Sequence, residues 1–173
     1  MAQISAYLFL CEESNDGSAG TAFEVSATEM NQQQVAGIDV AKAIEVLDVD
    51  SSVSVGIQRR TAQATGDRTH APIKIRKRID STSPELMRAA CQSTRLVGEL
   101  KFFRPTSATG GLEHFYTIKF SDARVQEITM QLPEGLEDER IMEDVSFAFS
   151  RCAWKHETAS KEFEDNWRER VAG

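Results

Sequence analysis

Two short segments constrain this chain more than any others, because both alternate with a period of two. In LDVDSSVSV, Leu47, Val49, Val53 and Val55 fall on one side, and Asp48, Asp50, Ser52 and Ser54 on the other. In IKIRKRI, Ile73, Ile75 and Ile79 oppose Lys74, Arg76 and Arg78, with Lys77 beside them. Successive side chains of a strand point to opposite faces, so such segments form half-buried strands with one wet side. Further strands are expected at 98–104, 114–120, 125–132 and 144–154, the last with a register shift before Trp154. Turn signals at 107–111 (SATGG) and 133–135 (PEG) separate them.

One segment breaks the alternation. In STSPELMRAACQST, Ser83 is suited to cap a helix, Pro84 to open it, and Glu85 to face its positive end. Leu86, Met87, Ala89 and Ala90 give that helix an apolar side. Six to eight strands and one main helix predict a mainly β fold: a small antiparallel β-barrel or sandwich with one flanking α-helix. The 173 residues suit a single domain, 1–173, with a loop-like insertion at about 20–40 that includes Gln32, Gln33 and Gln34. Residues 59–68, polar and without an apolar face, are expected to be loop.

Composition narrows the function. A net charge of −7 opposes general nucleic-acid binding. No apolar run is long enough for a membrane span, and the N-terminus lacks the pattern of a classical leader. Cys11, Cys91 and Cys152 have no metal or disulfide spacing and are expected to be reduced and mostly buried. His70, His114 and His156 have no metal-binding spacing, and no nucleophile elbow or phosphate loop is present. His70 and His156 read as hydrogen-bonding residues at element edges. The chain is therefore read as a non-enzyme without cofactor or metal.

Two charged groups remain. The strand carrying Lys74, Arg76 and Arg78 is a solvated face, a subunit contact or, less in keeping with an acidic chain, a nucleic-acid surface. The acidic loop with Glu134, Glu137, Asp138 and Glu139 is its opposite-charge candidate. Most aromatic residues fit alternation as core, although they could also line a ligand pocket. Phe102 and Phe103 are neighbours on one strand, which requires cover on both faces and suggests a subunit interface.

Over residues 68–170 the segments RTHAPIKIRKRIDSTSPELMRAA, ELKFFRP, EHFYTIKFSDARVQEI, EDVSFAFSRCAWKHET and EDNWRE, in that order, resemble the haemolysin-coregulated protein (Hcp) family of type VI secretion. The first is similar to the family's basic-His-x-Pro entry, strand and helix start. The stretch at about 20–39 is longer than the family usually has. The resemblance implies a phage tail-tube-like subunit that forms hexameric rings, stacks them into a tube within a contractile sheath beneath a spike, and carries effectors in the channel. It also implies assembly in the cytoplasm and export without a signal peptide. On that basis Asp48 and Asp50 are candidates to face the lumen. Glu134, Glu137, Asp138 and Glu139, with Lys74, Arg76 and Arg78, are candidates for ring stacking. The alternative reading is a monomeric β-barrel that binds a small molecule.

Overall fold

The computed structural model describes residues 4–31, 34–107, 110–132 and 141–168. Its frame is a large antiparallel sheet. β1 (Ser5–Glu13) lies between β2 (Ala19–Phe23) and β10 (Leu96–Pro105), and β10 pairs with β11 (Leu112–Gln131). β11 is one 20-residue strand where two were expected, at 114–120 and 125–132. Its first half pairs with β13 (Arg151–His156), which pairs in turn with β14 (Lys161–Asn166). Its second half pairs with β12 (Met142–Ala148), which continues to β9 (Ile73–Arg78) and β6 (Asp48–Asp50). The strand turns the corner near Asp122, whose φ of 47° lies in the left-handed region.

Bending one strand this way folds the sheet over itself and encloses a core between two layers. β5 (Ile44–Val46) pairs with β1, and β6, one residue later, pairs with β9. The seam is thus split between two three-residue strands, and no continuous ladder closes the sheet into a barrel. The sandwich half of the expectation describes the fold.

Cross-strand register arranges the core in rows. One row runs Ile44, Leu8, Leu100, Ile118, Trp154, Phe163 across β5, β1, β10, β11, β13 and β14. The next runs Phe23, Leu10, Gly98, Phe120, Cys152, Asp165. Gly98 is required there: a Cβ on it would lie 2.3 Å from Phe120 Cζ, so the missing side chain is the space the ring fills. Phe120 then meets Phe147 of the opposing layer at a centroid distance of 5.3 Å. Ile73, Ile75 and Val145, with Leu86 and Ala89 of the helix, complete this core.

The helix α1 (Ser83–Gln92) starts one residue earlier than a Ser83 cap implies. Thr82 holds the N-cap position without a side-chain cap bond, because its hydroxyl donates to Asp80 at 2.6 Å instead. Met87, expected on the apolar side, is exposed.

Several expectations are corrected. Residues 47–55 are not one half-buried strand. They split into β6 and β7 (Val53–Ile57), and Leu47, Val53 and Val55 are exposed. Residues 59–68 are not simply loop, since β8 (Ala64–His70) pairs with β7 in a separate two-stranded hairpin. The expected strand 144–154 is two strands: the chain leaves β12 at Ala148 and enters β13 at Arg151, staying beside β11 while its other neighbour changes from β9 to β14. The region expected to be a loop-like insertion contributes a second core. β3 (Gln34–Val35) and β4 (Ile38–Asp39) form a small hairpin, and Val35, Val40 and Ala43 pack on Tyr7 and Phe103 on the outer face of the sheet. Phe103 is fully buried there, while Phe102 packs on the main core. The Phe103 face of this strand is therefore covered within the chain, and the Phe102 face partly so. Gln32 and Gln33 lie outside the described residues.

Candidate assembly surfaces

The outer face of the layer formed by β6, β9, β12 and the second half of β11 is a lattice of alternating charge. Register places Asp48, Arg76, Asp144 and Thr129 in one row, and Asp50, Lys74, Ser146 and Glu127 in the next. Arg76 donates two hydrogen bonds to Asp144, at 2.8 and 3.1 Å, and Lys74 lies 3.4 Å from the same carboxylate. These bonds, those from Arg76 foremost, hold the Asp144 carboxyl below its usual range. Arg78 pairs with Glu45 at 2.8 Å. The lumen candidates Asp48 and Asp50 therefore share one face with Lys74 and Arg76, and all three basic residues have intrachain partners. Glu134, Glu137, Asp138 and Glu139 lie outside the described residues.

Directly behind Arg76, Lys77 points inward and is fully buried, although the sequence reading set it merely beside the basic face. Its ammonium meets four oxygens: Glu143 at 2.7 Å, Arg78 carbonyl at 2.9 Å, Asp80 at 3.0 Å and Ser83 at 3.1 Å. Ser83 Oγ donates to Glu143 as well, at 2.7 Å. The cluster ties β9 and β12 to the first turn of the helix. The only trace of it in the sequence is that residue 77 continues the inward series 73, 75.

A third joint anchors the β7–β8 hairpin. Arg68 donates to both Asp165 oxygens, at 2.5 and 2.6 Å, and to the Asn166 carbonyl at 3.2 Å. His70 Nε2 lies 2.7 Å from Asp165, and its ring sits between Trp154 and Trp167 at centroid distances of 5.7 and 4.6 Å. Hydrogen bonds from Arg68 and then His70 keep the Asp165 carboxyl below the ordinary carboxylate range, against the effect of burial. His70 is thus a hydrogen-bonding residue at the end of β8, as expected, and it is buried. The two ends of the recognised pattern, RTH and EDNW, meet at this point.

At the corner of β11, Asp122 was not singled out by sequence, yet it accepts a hydrogen bond from Ser150 at 2.5 Å and forms ion pairs with Arg168 at 2.8 Å and Arg95 at 3.0 Å. Burial pushes its carboxyl up, but the Ser150 hydroxyl and the arginines outweigh that and hold it low. These contacts support the left-handed backbone at the bend.

His114 bonds Thr117 at 2.8 Å, and burial holds its imidazole below the usual range. His156 Nδ1 accepts from the Ala159 N–H at 3.2 Å. Of the cysteines only Cys152 is buried, its thiol pushed up to about 12 by burial, while Cys91 is exposed and Cys11 intermediate. Among the described residues no cluster of three or more His, Cys, Asp or Glu could hold a metal, and no helix is long and apolar enough to cross a membrane.

Comparison with known proteins follows the same outline. A family model described as "Type VI secretion system effector, Hcp" matches residues 25–156. The "Major exported protein" of Pseudomonas aeruginosa (strain PAO1) is 35% identical over 119 residues, covering 66% of this chain and 69% of the relative. Among solved structures, "Crystal structure of Hcp protein" aligns with a TM-score of 0.78 at 23% identity, covering 97% of this chain and 100% of that one. "Secreted protein Hcp3 from Pseudomonas aeruginosa" aligns at 0.70 and 24% identity, covering 96% and 100%. The structural likenesses carry the fold, and the family model and the curated relative carry the membership: this chain belongs to the Hcp family of type VI secretion proteins.

Proposed function

We propose that this protein is the structural, non-catalytic subunit of a type VI secretion tube, a single domain that forms hexameric rings which stack and carry effectors in their channel. The observation that carries this reading, beyond family membership, is apolar surface left open in a pattern that suits repeated contact with copies of itself. Val53, Val55 and Ile57 are exposed on one hairpin, and Phe163 is exposed on the edge strand β14. A closed ring needs two different surfaces per subunit, repeated about an axis. The curated relative's name, "Major exported protein", supports export of this chain as well.

Asp48 and Asp50 border the channel in this reading, and Lys74 and Arg76, which share their face, border it with them. Stacking then falls to the acidic residues Glu134, Glu137, Asp138 and Glu139, with Arg78 as a basic partner. Contractile sheath, spike and secreted effectors are the partners this implies. The small-molecule alternative finds little support. Leu100, Phe120 and Phe147 are fully buried and fill the interior a binding barrel would leave open. The apolar cavity lined by Phe9, Phe23 and Lys42 is only about 210 Å³, and the larger clefts, about 500 and 460 Å³, are lined mainly by charged and polar side chains and lack the apolar walls of ordinary ligand sites.

Light scattering across a concentration series tests the proposal. The expected species has six times the 19.3 kDa of one chain, with longer stacks visible by electron microscopy. A species that stays at 19.3 kDa at high concentration and low salt contradicts it.

A further inference from the structure

The face that Asp48 and Asp50 share with Lys74 and Arg76 does not present its charges evenly. Across β6, β9, β12 and β11 the register sets four carboxylates (Asp48, Asp50, Glu127, Asp144) against two cations (Lys74, Arg76), a net −2. The two cations are occupied. Both turn to Asp144 in the middle of the face, whose side chain is only 6% exposed. Arg76 donates to it at 2.8 and 3.1 Å, and Lys74 lies 3.4 Å away.

The other three carboxylates are open. Asp48, Asp50 and Glu127 are exposed. None has an ion-pair partner among the described residues. Asp48 opposes Arg76 in the register, but the hydrogen bonds of that guanidinium go to Asp144. Glu127 accepts only a long bond from Thr129, at 3.5 Å. Asp48 and Asp50 stand on β6 at one margin of the layer and Glu127 on β11 at the other, so open acids bracket a neutralised middle.

An exposed carboxylate exchanges its water most readily for a donor that brings a charge-assisted bond, and Lys and Arg side chains do so. A carboxylate or phosphate arriving there meets like charge. It also finds little in Lys74 and Arg76, because Asp144 already holds both. Resting on the channel reading above, we propose that this face selects cargo by charge. It takes proteins with exposed Lys and Arg and turns away acidic ones, with Asp48, Asp50 and Glu127 as the specificity-determining residues. Copies arranged about one axis repeat the same open carboxylates around one channel. Walls of one sign focus the field in an enclosed space and raise the local concentration of the opposite charge.

Fluorescence anisotropy on the assembled protein tests this, with ring size checked by light scattering. The probes are two forms of one small labelled domain, one carrying surface lysines where the other carries glutamates. The lysine form is expected to bind about tenfold or more tighter at low salt, and to lose that advantage as salt rises. D48N/D50N removes most of the preference. E162Q/E164Q, which removes the same charge from β14 in the opposite layer, leaves it. Equal weakening by both pairs overturns the proposal, because affinity then follows the overall charge of −7 and not this face. Rings that bind both forms alike, or neither, overturn it too and leave ring formation standing. If D48N/D50N no longer assembles, Glu127→Gln carries the test: it should weaken the lysine form by about threefold, and no change overturns the proposal. Wild-type material that stays at 19.3 kDa overturns the channel reading itself, and this selection with it.

Discussion

Arg76 and Lys77 are neighbours on β9, and Asp144 and Glu143 are neighbours on β12. Register pairs Arg76 with Asp144 and Lys77 with Glu143, so the same two strands carry two ion pairs back to back. They differ in solvent. The Arg76 side chain is 44% exposed and Lys77 is 0% exposed. In the outer pair water reaches Arg76, and Asp144, although buried, keeps Lys74 as a second partner when Arg76 is lost, so less depends on that one bond. In the inner pair both charges have been removed from water, at a cost that only close, well-satisfied contacts offset. Four oxygens around one ammonium meet that condition. Lys77 therefore does not show that burying a charge stabilises; it shows that, once buried, neither partner can be removed alone.

The largest expected effect follows from this. Lys77→Ala leaves Glu143 and Asp80 facing a dry hole and should cost about 3–5 kcal/mol in urea unfolding. The double substitution K77M/E143M removes both charges and should recover most of the loss. A K77A variant no less stable than the same test finds for R76A would break the distinction between the two faces.

Asp165 provides the intermediate case, since it is mostly buried but Arg68 reaches solvent. Asp165→Ala leaves His70 without its acceptor and should cost about 1–3 kcal/mol, with earlier proteolysis at the hairpin. It also has a pH signature. Asp144 and Asp165 both have carboxyls lowered by folding. The stability they contribute is complete above the unfolded aspartate value of about 3.9 and is lost as pH falls through their lower folded values. Acid titration of the melting temperature should show that limb in the wild type and a shallower one in D165N. An identical limb in both would remove Asp165 from the account.

The smallest effect is expected at the wet face. Arg76→Ala should change the melting temperature little at low salt, and the difference should shrink further as salt is added. A large loss that salt does not alter would mean the outer lattice is as critical as the inner cluster.

How much of this was legible differs between residues. Period-two alternation located β9 and β10 closely, because pleat geometry is local and leaves its mark in the order of residues. It failed at Val53 and Val55. Alternation identifies a strand with an apolar face but cannot say whether anything covers that face, and here none of the described residues does. It also split β11 and merged β12 with β13, because the exchange of pairing partners at Asp122 and Ser150 depends on strands distant in sequence. Asp48 and Asp50 were correctly read as a wet face. Their sharing of that face with Lys74 and Arg76 required the register between β6 and β9.

The sequence by itself determined the mainly β class, the single helix, the wet and dry sides of individual strands, and the family. Each of these is written in short periods, or in motifs whose order along the chain survives without coordinates. Only the tertiary structure decided that Lys77 is enclosed by Glu143, Asp80 and Ser83, that Asp165 holds the root of the hairpin, and that the 34–43 region covers Phe103. Each of these depends on groups tens of residues apart meeting within about 3–6 Å, where removal from water sets the energy, and no local pattern encodes that distance.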